Sequence, residues 1–144
     1  MTKDDLQKLY KSKILPENEH PYHFQEIKSF DFQIEAYNPM CGDKYWLFFE
    51  QHGNQISNVF FHGFGCALSK ASLSLLCKSL EGMPHKDAIE LSRQFVQCLT
   101  TDLNFEFKKE SLNTLAELKH FEGRVDCIKL GWEAVCNHFE NYEN

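Results

Sequence analysis

The chain lacks a long apolar run and lacks a surplus of positive charge. Its longest solidly apolar stretch, residues 45–49, is far shorter than the roughly 20 residues that a membrane-spanning helix needs, and the first five residues carry no secretory-signal pattern. Among 144 residues, 15 Lys and Arg stand against 21 Asp and Glu, which gives a net charge of −6. The cationic face of a general nucleic-acid binder is therefore missing. We expect a cytoplasmic protein with no membrane partner and no nucleic-acid partner.

Internal repeats, low-complexity tracts and linkers are also lacking. A chain of 144 residues suits one domain with its own core and leaves no room for two. We therefore expect a single domain over residues 1–144.

Alternation of apolar and polar residues predicts three strands. The pattern runs through Phe30, Phe32, Ile34 and Ala36 and recurs over residues 44–51 and 55–62. Gly53-Asn54 suits the tight turn between the last two strands because both residue types tolerate positive φ. An antiparallel meander follows.

Helical spacing of apolar residues predicts the remaining elements. A first helix is expected to be capped by Asp4 or Asp5 and ended by Pro16. Two more are expected after Gly65 and over residues 85–99, then a short one capped by Ser111 and a last one from about Cys127 to about Phe139. Three strands followed by helices predict an α+β fold, with a three-stranded antiparallel sheet packed by helices on one face.

Six cysteines are present, and a reducing cytosol makes a disulfide framework improbable for them. Cys77, Cys98 and Cys136 fall inside predicted helices, among Leu, Val and Phe neighbours. Free cysteine is one of the most buried residue types. We expect these three side chains to fill the core.

Cys41, Cys66 and Cys127 lie instead where predicted elements begin or end. Cys66 and Cys127 open helices, and the start of a helix favours a thiolate. Asp43 follows Cys41 by two residues, so both side chains could reach one cation. Three thiolates and one carboxylate would make a tetrahedral zinc site. The spacing matches no short zinc-finger signature, so the residues alone leave metal binding and simple burial both open.

Three motifs in this sequence resemble the U-type iron–sulfur cluster assembly proteins, a family that includes IscU, SufU and the N-terminal domain of NifU. They are residues 38–43 (NPMCGD), 61–74 (FHGFGCALSKASLS) and 123–132 (GRVDCIKLGW). The resemblance implies the SufE/NifU-like (IscU-like) fold, a three-stranded antiparallel sheet packed by helices. That fold agrees with the pattern analysis above.

Within that family the chain resembles the SufU branch. Asp126 precedes Cys127 where IscU-type proteins carry a His, the Leu-Pro-Pro-Val-Lys chaperone motif is absent, and an extra helix-length segment separates Cys66 from Cys127. The resemblance implies a zinc-dependent sulfur acceptor for a SufS-type cysteine desulfurase. Such a protein passes its sulfur on to a separate scaffold of the SufBCD type.

Carried over residue by residue, the resemblance makes Cys41, Asp43, Cys66 and Cys127 the zinc ligands. Cys41 is also the sulfur-accepting thiol, and Arg124 is a supporting residue. The chain departs from the family pattern at three places that bear on the choice of partner, namely His62, Lys70 and Glu122-Gly123.

Three functions stay open at this point. The first is the sulfur acceptor, either as a zinc-dependent sulfurtransferase or as a carrier that activates the desulfurase. The second is a scaffold that assembles a [2Fe–2S] cluster on the same four residues. The third is a zinc-stabilised interaction domain without transfer activity. His62 as a spare ligand and Asp126 as a competitor of Asp43 also remain open.

Overall fold

The computed structural model describes residues 2–121 and 123–143, with no side-chain description for 141–143, so Glu122 of the predicted Glu122-Gly123 departure lies outside the described residues. The chain forms an N-terminal helical segment, a three-stranded sheet and then four helices. The elements are α1 (Lys3–Leu9), a π-helical stretch (Tyr10–Ile14), α2 (Leu15–Glu19), β1 (Phe32–Asn38), β2 (Asp43–His52), β3 (Gln55–Phe64), α3 (Ala67–Leu80), α4 (His85–Thr100), α5 (Glu110–Glu117), a 3₁₀ turn (Leu118–His120) and α6 (Val125–Glu143).

The sheet is antiparallel in the order β1-β2-β3, which confirms the predicted meander. Asn38 pairs with Asp43 at one end of the sheet, and Lys44 pairs with Phe64 beside them. Alternate residues of the strands are fully buried, among them Tyr45, Leu47 and Phe49. They contribute to one hydrophobic core with α3 and α6. The fold is therefore the predicted α+β class.

The N-terminal segment differs from its prediction at both ends. Thr2, not Asp4 or Asp5, caps α1, because its hydroxyl accepts from the Asp5 N–H while the Asp5 carboxylate accepts from the Thr2 N–H, both at 3.1 Å. The helical path also continues past Pro16 to Glu19. The π-helical stretch restarts the hydrogen-bond register, so Pro16 falls in the first turn of α2, where a missing N–H removes no helical bond.

Two later helix starts also differ. Ser111 lies inside α5, which begins at Glu110 after Lys109 without a side-chain cap, so the predicted Ser111 cap is wrong. Helix α6 begins at Val125 rather than Cys127, which places Cys127 within its first turn. No described helix has the length and apolar character needed to span a bilayer.

A buried hydrogen-bond chain fixes α3 against α6, the two helices whose starts carry Cys66 and Cys127. The Trp132 indole N–H donates to the Ser72 hydroxyl at 3.0 Å, and that hydroxyl donates to the Ile128 carbonyl at 2.6 Å. Trp132 is fully buried and Ser72 nearly so. This hydrogen-bond chain, together with the apolar packing of the two helices, helps to set the relative placement of Cys66 and Cys127.

Replacing Ser72 with alanine is expected to lower the free energy of unfolding by about 1–3 kcal/mol, because the buried indole N–H loses its only acceptor among the described residues. Urea denaturation measures the change. The matched control is Ser57→Ala, since the exposed Ser57 hydroxyl donates only to the Glu50 carbonyl. Equal stability of the two variants would contradict the structural role of Ser72.

Candidate metal centre

The four predicted ligands come from four different parts of the fold. Cys41 lies in the loop between β1 and β2, and Asp43 is the first residue of β2. Cys66 is the N-cap of α3, and Cys127 lies in the first turn of α6. The antiparallel pairing of Asn38 with Asp43 and of Lys44 with Phe64 brings these chain segments to one end of the sheet.

Their donor atoms converge there. The donor atoms of Cys41, Asp43 and Cys127 all lie within 4.8 Å of one another. The Cys66 Sγ lies 3.8 Å from Asp43 Oδ2, and the Cys66 N–H donates to Asp43 Oδ1 at 3.2 Å. Cys66 also contacts the Cys127 thiol. All four residues singled out in the sequence form this group, which we call the Cys41 cluster.

The donor set fits a zinc ion. Neighbouring sulfur ligands around tetrahedral Zn²⁺ lie about 3.8 Å apart, given a Zn–S distance of about 2.3 Å, and the donor atoms of Cys41, Asp43 and Cys127 lie within 4.8 Å of one another. Three thiols and a carboxylate are also donors that zinc accepts in proteins. Cys41, Asp43, Cys66 and Cys127 are therefore able to hold one divalent ion.

Exposure distinguishes Cys41 from the other members of the cluster. Cys41 is exposed and Cys66 partly so, whereas Asp43 is 4% exposed and Cys127 9%. The loop turns at Gly42, which has a φ of +80° and donates its N–H to the Asn38 carbonyl at 2.8 Å. Glycine adopts this positive φ at little cost whereas other residues rarely do, so Gly42 allows the tight turn beside Cys41. Cys41 is therefore the most exposed member of the cluster.

Burial raises the pKa values of two thiols of the cluster, those of Cys41 and Cys127. The pKa of Cys127 is raised to about 12, first by burial and then by its Cys66 and Asp43 neighbours. Burial also raises the pKa of Cys41. The expectation that a helix start favours the Cys127 thiolate is wrong for the protein groups alone, because burial and acidic neighbours outweigh the helix dipole. A bound cation would reverse this balance.

Two side chains that the sequence analysis missed support the cluster. The Tyr45 hydroxyl lies 3.0 Å from the Ser69 hydroxyl, and Ser69 donates to the Cys66 carbonyl through its hydroxyl at 3.0 Å and to the Cys66 Sγ through its N–H at 3.4 Å. Strand alternation could have identified Tyr45, because it follows Asp43 by two residues and so lies on the same face of the sheet.

Gly65 lets the chain pass close to these groups. A Cβ at this residue would lie 2.5 Å from the Tyr45 hydroxyl and 2.8 Å from Asp43 Oδ1. Both distances are below ordinary contact, so a side chain here would displace the hydroxyl and the carboxylate together. The glycine before Cys66 is thus part of what shapes the site.

Arg124 lies beside the cluster rather than within it. Its side chain is exposed and lines a pocket that Cys66 also lines. Asp126 does not join the cluster, because its exposed carboxylate pairs with Lys129 at 3.8 Å. His62 is exposed and stacks on Phe24, with ring centroids 5.0 Å apart. Lys70 lies over the same Phe24 ring at 4.7 Å.

The other three cysteines are buried, as predicted. Cys77, Cys98 and Cys136 lie in α3, α4 and α6, and each is less than a tenth exposed. Of the six cysteines, only the three at element ends take part in the Cys41 cluster.

Two curated proteins are similar to this chain over most of its length. The zinc-dependent sulfurtransferase SufU of Bacillus subtilis is 24% identical over 132 residues, covering 91% of this chain and 89% of that protein. The iron–sulfur cluster assembly scaffold protein IscU of Streptococcus pyogenes is 26% identical over 136 residues, covering 94% of this chain and 85% of that protein.

Solved structures share the fold. A putative iron–sulfur cluster assembly scaffold protein for the SUF system from Fervidobacterium islandicum superposes with a TM-score of 0.77 at 25% identity, over 90% of this chain and 95% of that one. The N-terminal part of a NifU-like protein from Brucella abortus superposes with a TM-score of 0.80 at 15% identity, over 96% of each chain. The family model described as the NifU-like N terminal domain matches residues 9–144. The chain therefore belongs to this family of U-type iron–sulfur cluster assembly proteins.

Proposed function

We propose that this protein is a zinc-dependent sulfur acceptor. It takes sulfane sulfur from a cysteine desulfurase of the SufS type onto Cys41 and delivers it for cluster assembly on a SufBCD-type scaffold. The observation that supports this proposal most directly is the convergence of the Cys41, Asp43 and Cys127 donor atoms within 4.8 Å, with Cys66 in contact. The Bacillus subtilis relative, named as a zinc-dependent sulfurtransferase, supports the same choice of metal and activity.

The four residues of the Cys41 cluster have two roles, which are to hold the metal ion and to react with the incoming sulfur. Asp43 and Cys127 are buried, so these two hold the ion most firmly, and the partly exposed Cys66 is oriented by its N–H bond to Asp43. Cys41, on its exposed turn, reacts. A zinc ion bound there supplies positive charge that keeps the thiols ionised and has no redox chemistry of its own.

Sulfur acceptance is a thiol–disulfide-type exchange. The Cys41 thiolate attacks the outer sulfur of the desulfurase persulfide, a new S–S bond forms on Cys41, and the desulfurase thiolate leaves. No electrons are gained or lost overall. Arg124, which lines the same pocket as Cys66, supplies a positive charge close to the thiolates and the carboxylate of the Cys41 cluster.

A second function is favoured by a specific observation. The Streptococcus pyogenes and Thermotoga maritima relatives, each 26% identical, are both named iron–sulfur cluster assembly scaffolds. The same four residues would then hold a [2Fe–2S] cluster. A third possibility, a zinc-stabilised interaction domain, requires the metal to contribute folding energy only.

One measurement separates the three. The turnover of a SufS-type desulfurase is expected to rise on adding this protein, with zinc present in a one-to-one ratio and the protein colourless. An unchanged turnover with bound zinc would favour the interaction domain, and a coloured protein that assembles a cluster would favour the scaffold. Either result would overturn the sulfur-acceptor proposal.

A further inference from the structure

A pocket of about 420 Å³ opens beside Cys66, between the N-terminal helical segment and the chain that leads into α6. We call it the Cys66 pocket. Its volume is near the lower end of the range for small-molecule sites, about 300–1,000 Å³, so it suits a small metabolite. Of the four members of the Cys41 cluster, Cys66 lines it. The pocket therefore reaches the Cys41 cluster at Cys66 and not at the exposed turn that carries Cys41.

The pocket offers free polar groups next to apolar ones. Gln7, Tyr10 and Arg124 line it, and within residues 2–121 and 123–143 none of these side chains makes a hydrogen bond or an ion pair. The apolar part of the wall comes from Leu68, Leu118 and Phe121.

The positive charge at this pocket is specific to Arg124. The chain has two arginines. Arg93, on α4, pairs with Glu90 at 3.6 Å and with Glu140 at 3.8 Å, whereas Arg124 pairs with no described residue. A guanidinium binds a carboxylate through two parallel hydrogen bonds. In a chain of net charge −6, Arg124 therefore provides a local positive charge that is able to bind an anion.

We propose that the Cys66 pocket binds a small thiol that carries a carboxylate, and that this thiol removes sulfane sulfur from the protein. Arg124 binds the carboxylate, the apolar wall packs against the short aliphatic part, and the sulfur faces Cys66. This inference rests on the sulfur-acceptor function proposed above and names a class of acceptor for that sulfur.

Two exchanges connect Cys41 to the pocket. First, the Cys66 thiolate attacks the outer sulfur of the Cys41 persulfide, so the sulfane sulfur moves to Cys66 and the Cys41 thiolate is released. Next, the bound thiolate attacks that sulfur, forms a small-molecule persulfide and releases the Cys66 thiolate. Each step breaks one S–S bond and forms another, the proton of the small thiol goes to solvent, and no oxidant or reductant is needed.

The test loads the protein with sulfane sulfur from inorganic polysulfide and measures its release by three thiols. Each rate is divided by the rate of the same thiol with free polysulfide, so that the different nucleophilicities of the three thiolates cancel. Mercaptopropionate is anionic, mercaptoethanol neutral and cysteamine cationic. We expect mercaptopropionate to be about tenfold faster than cysteamine and to saturate, because one charge-assisted pair to Arg124 contributes about a tenfold effect. If only the net charge of −6 acted at long range, it would attract the cationic cysteamine and repel the anionic mercaptopropionate, so cysteamine would be faster.

Matched arginine variants show where the preference arises. Arg124→Gln is expected to remove the mercaptopropionate advantage and leave cysteamine fastest. Arg93→Gln, the only other arginine substitution that the chain offers, is expected to leave the order unchanged. A cysteamine rate equal to or above the mercaptopropionate rate in the unsubstituted protein would overturn the proposal, and so would an advantage that survives Arg124→Gln.

A second measurement does not depend on any variant. Titration of mercaptopropionate into the protein before sulfur loading should shift the backbone amide NMR signals of Gln7, Tyr10 and Leu118 in a saturable way, and unchanged signals would refute binding. Polysulfide loading bypasses the desulfurase. Failure of enzymatic loading of Cys41 would therefore refute the proposed function, whereas failure of the thiol preference would refute the Cys66 pocket alone.

Discussion

Replacing Cys41 with alanine is expected to reduce sulfur acceptance from the desulfurase to below about one hundredth, because the reacting nucleophile is removed. The fold should be unaffected, since Cys41 is exposed on a loop and fills no part of the core. Mass spectrometry of the protein after incubation with desulfurase and cysteine measures acceptance as the added mass of sulfur. Circular dichroism checks that the fold is intact.

The matched control for this result is Cys136→Ala. Cys136 is also a free cysteine but lies buried in α6, outside the Cys41 cluster, and its replacement should leave sulfur acceptance unchanged. Desulfurase binding should survive in both variants. If Cys41→Ala still accepted sulfur on Cys66 or Cys127, the assignment of Cys41 as the acceptor would be wrong.

Replacing Gly63 with alanine is expected to lower the free energy of unfolding by more than about 3 kcal/mol. Gly63 has a φ of +146°, in a region that a side chain rarely adopts. Its Cβ would meet the Lys44 carbonyl oxygen and would lie 2.7 Å from the Tyr45 Cα. Both atoms belong to the backbone of β2, which cannot move aside as a flexible side chain can.

The same substitution should weaken zinc binding by about 10–100-fold, the usual effect of disturbing the groups that orient metal ligands. Gly63 pairs with Tyr45 across the strands, between the segments that carry Asp43 and Cys66. Urea denaturation and zinc competition with a chelator measure the two effects. The control is Gly82→Ala, which also has positive φ, at +86°, but meets nothing within 4 Å. A Gly63→Ala protein as stable as Gly82→Ala would contradict this account.

The local structure was largely predictable from the sequence, and the errors in that prediction have specific causes. Alternation identified all three strands, and Gly53-Asn54 identified the turn between β2 and β3. Errors occurred where one residue type has two possible roles. Pro16 ends many helices but is also accepted in a first turn, and the π-helical stretch gave it that place. Asp5 was expected to cap α1 but serves as the third residue of a capping box led by Thr2.

The candidate residues were also identifiable from the sequence, but their arrangement was not. Cys41, Cys66 and Cys127 stood out by lying at element ends, and the motifs around them indicated the family. Neither observation determines a distance. The contact of Tyr45 with Ser69 beside Cys66 and the position of Arg124 on a pocket wall that Cys66 also lines depend on neighbours far away in the chain.

The sequence by itself determined the strands, the helical periods, the buried character of Cys77, Cys98 and Cys136, and the family, because each of these depends on residues a few positions apart or on a contiguous motif. Only the tertiary structure decided that Cys41, Asp43, Cys66 and Cys127 meet, and that burial raises the pKa values of Cys41 and Cys127. The physical reason is that strand pairing and the packing of α3 against α6 through Ser72 and Trp132 join segments that have no local interaction with one another.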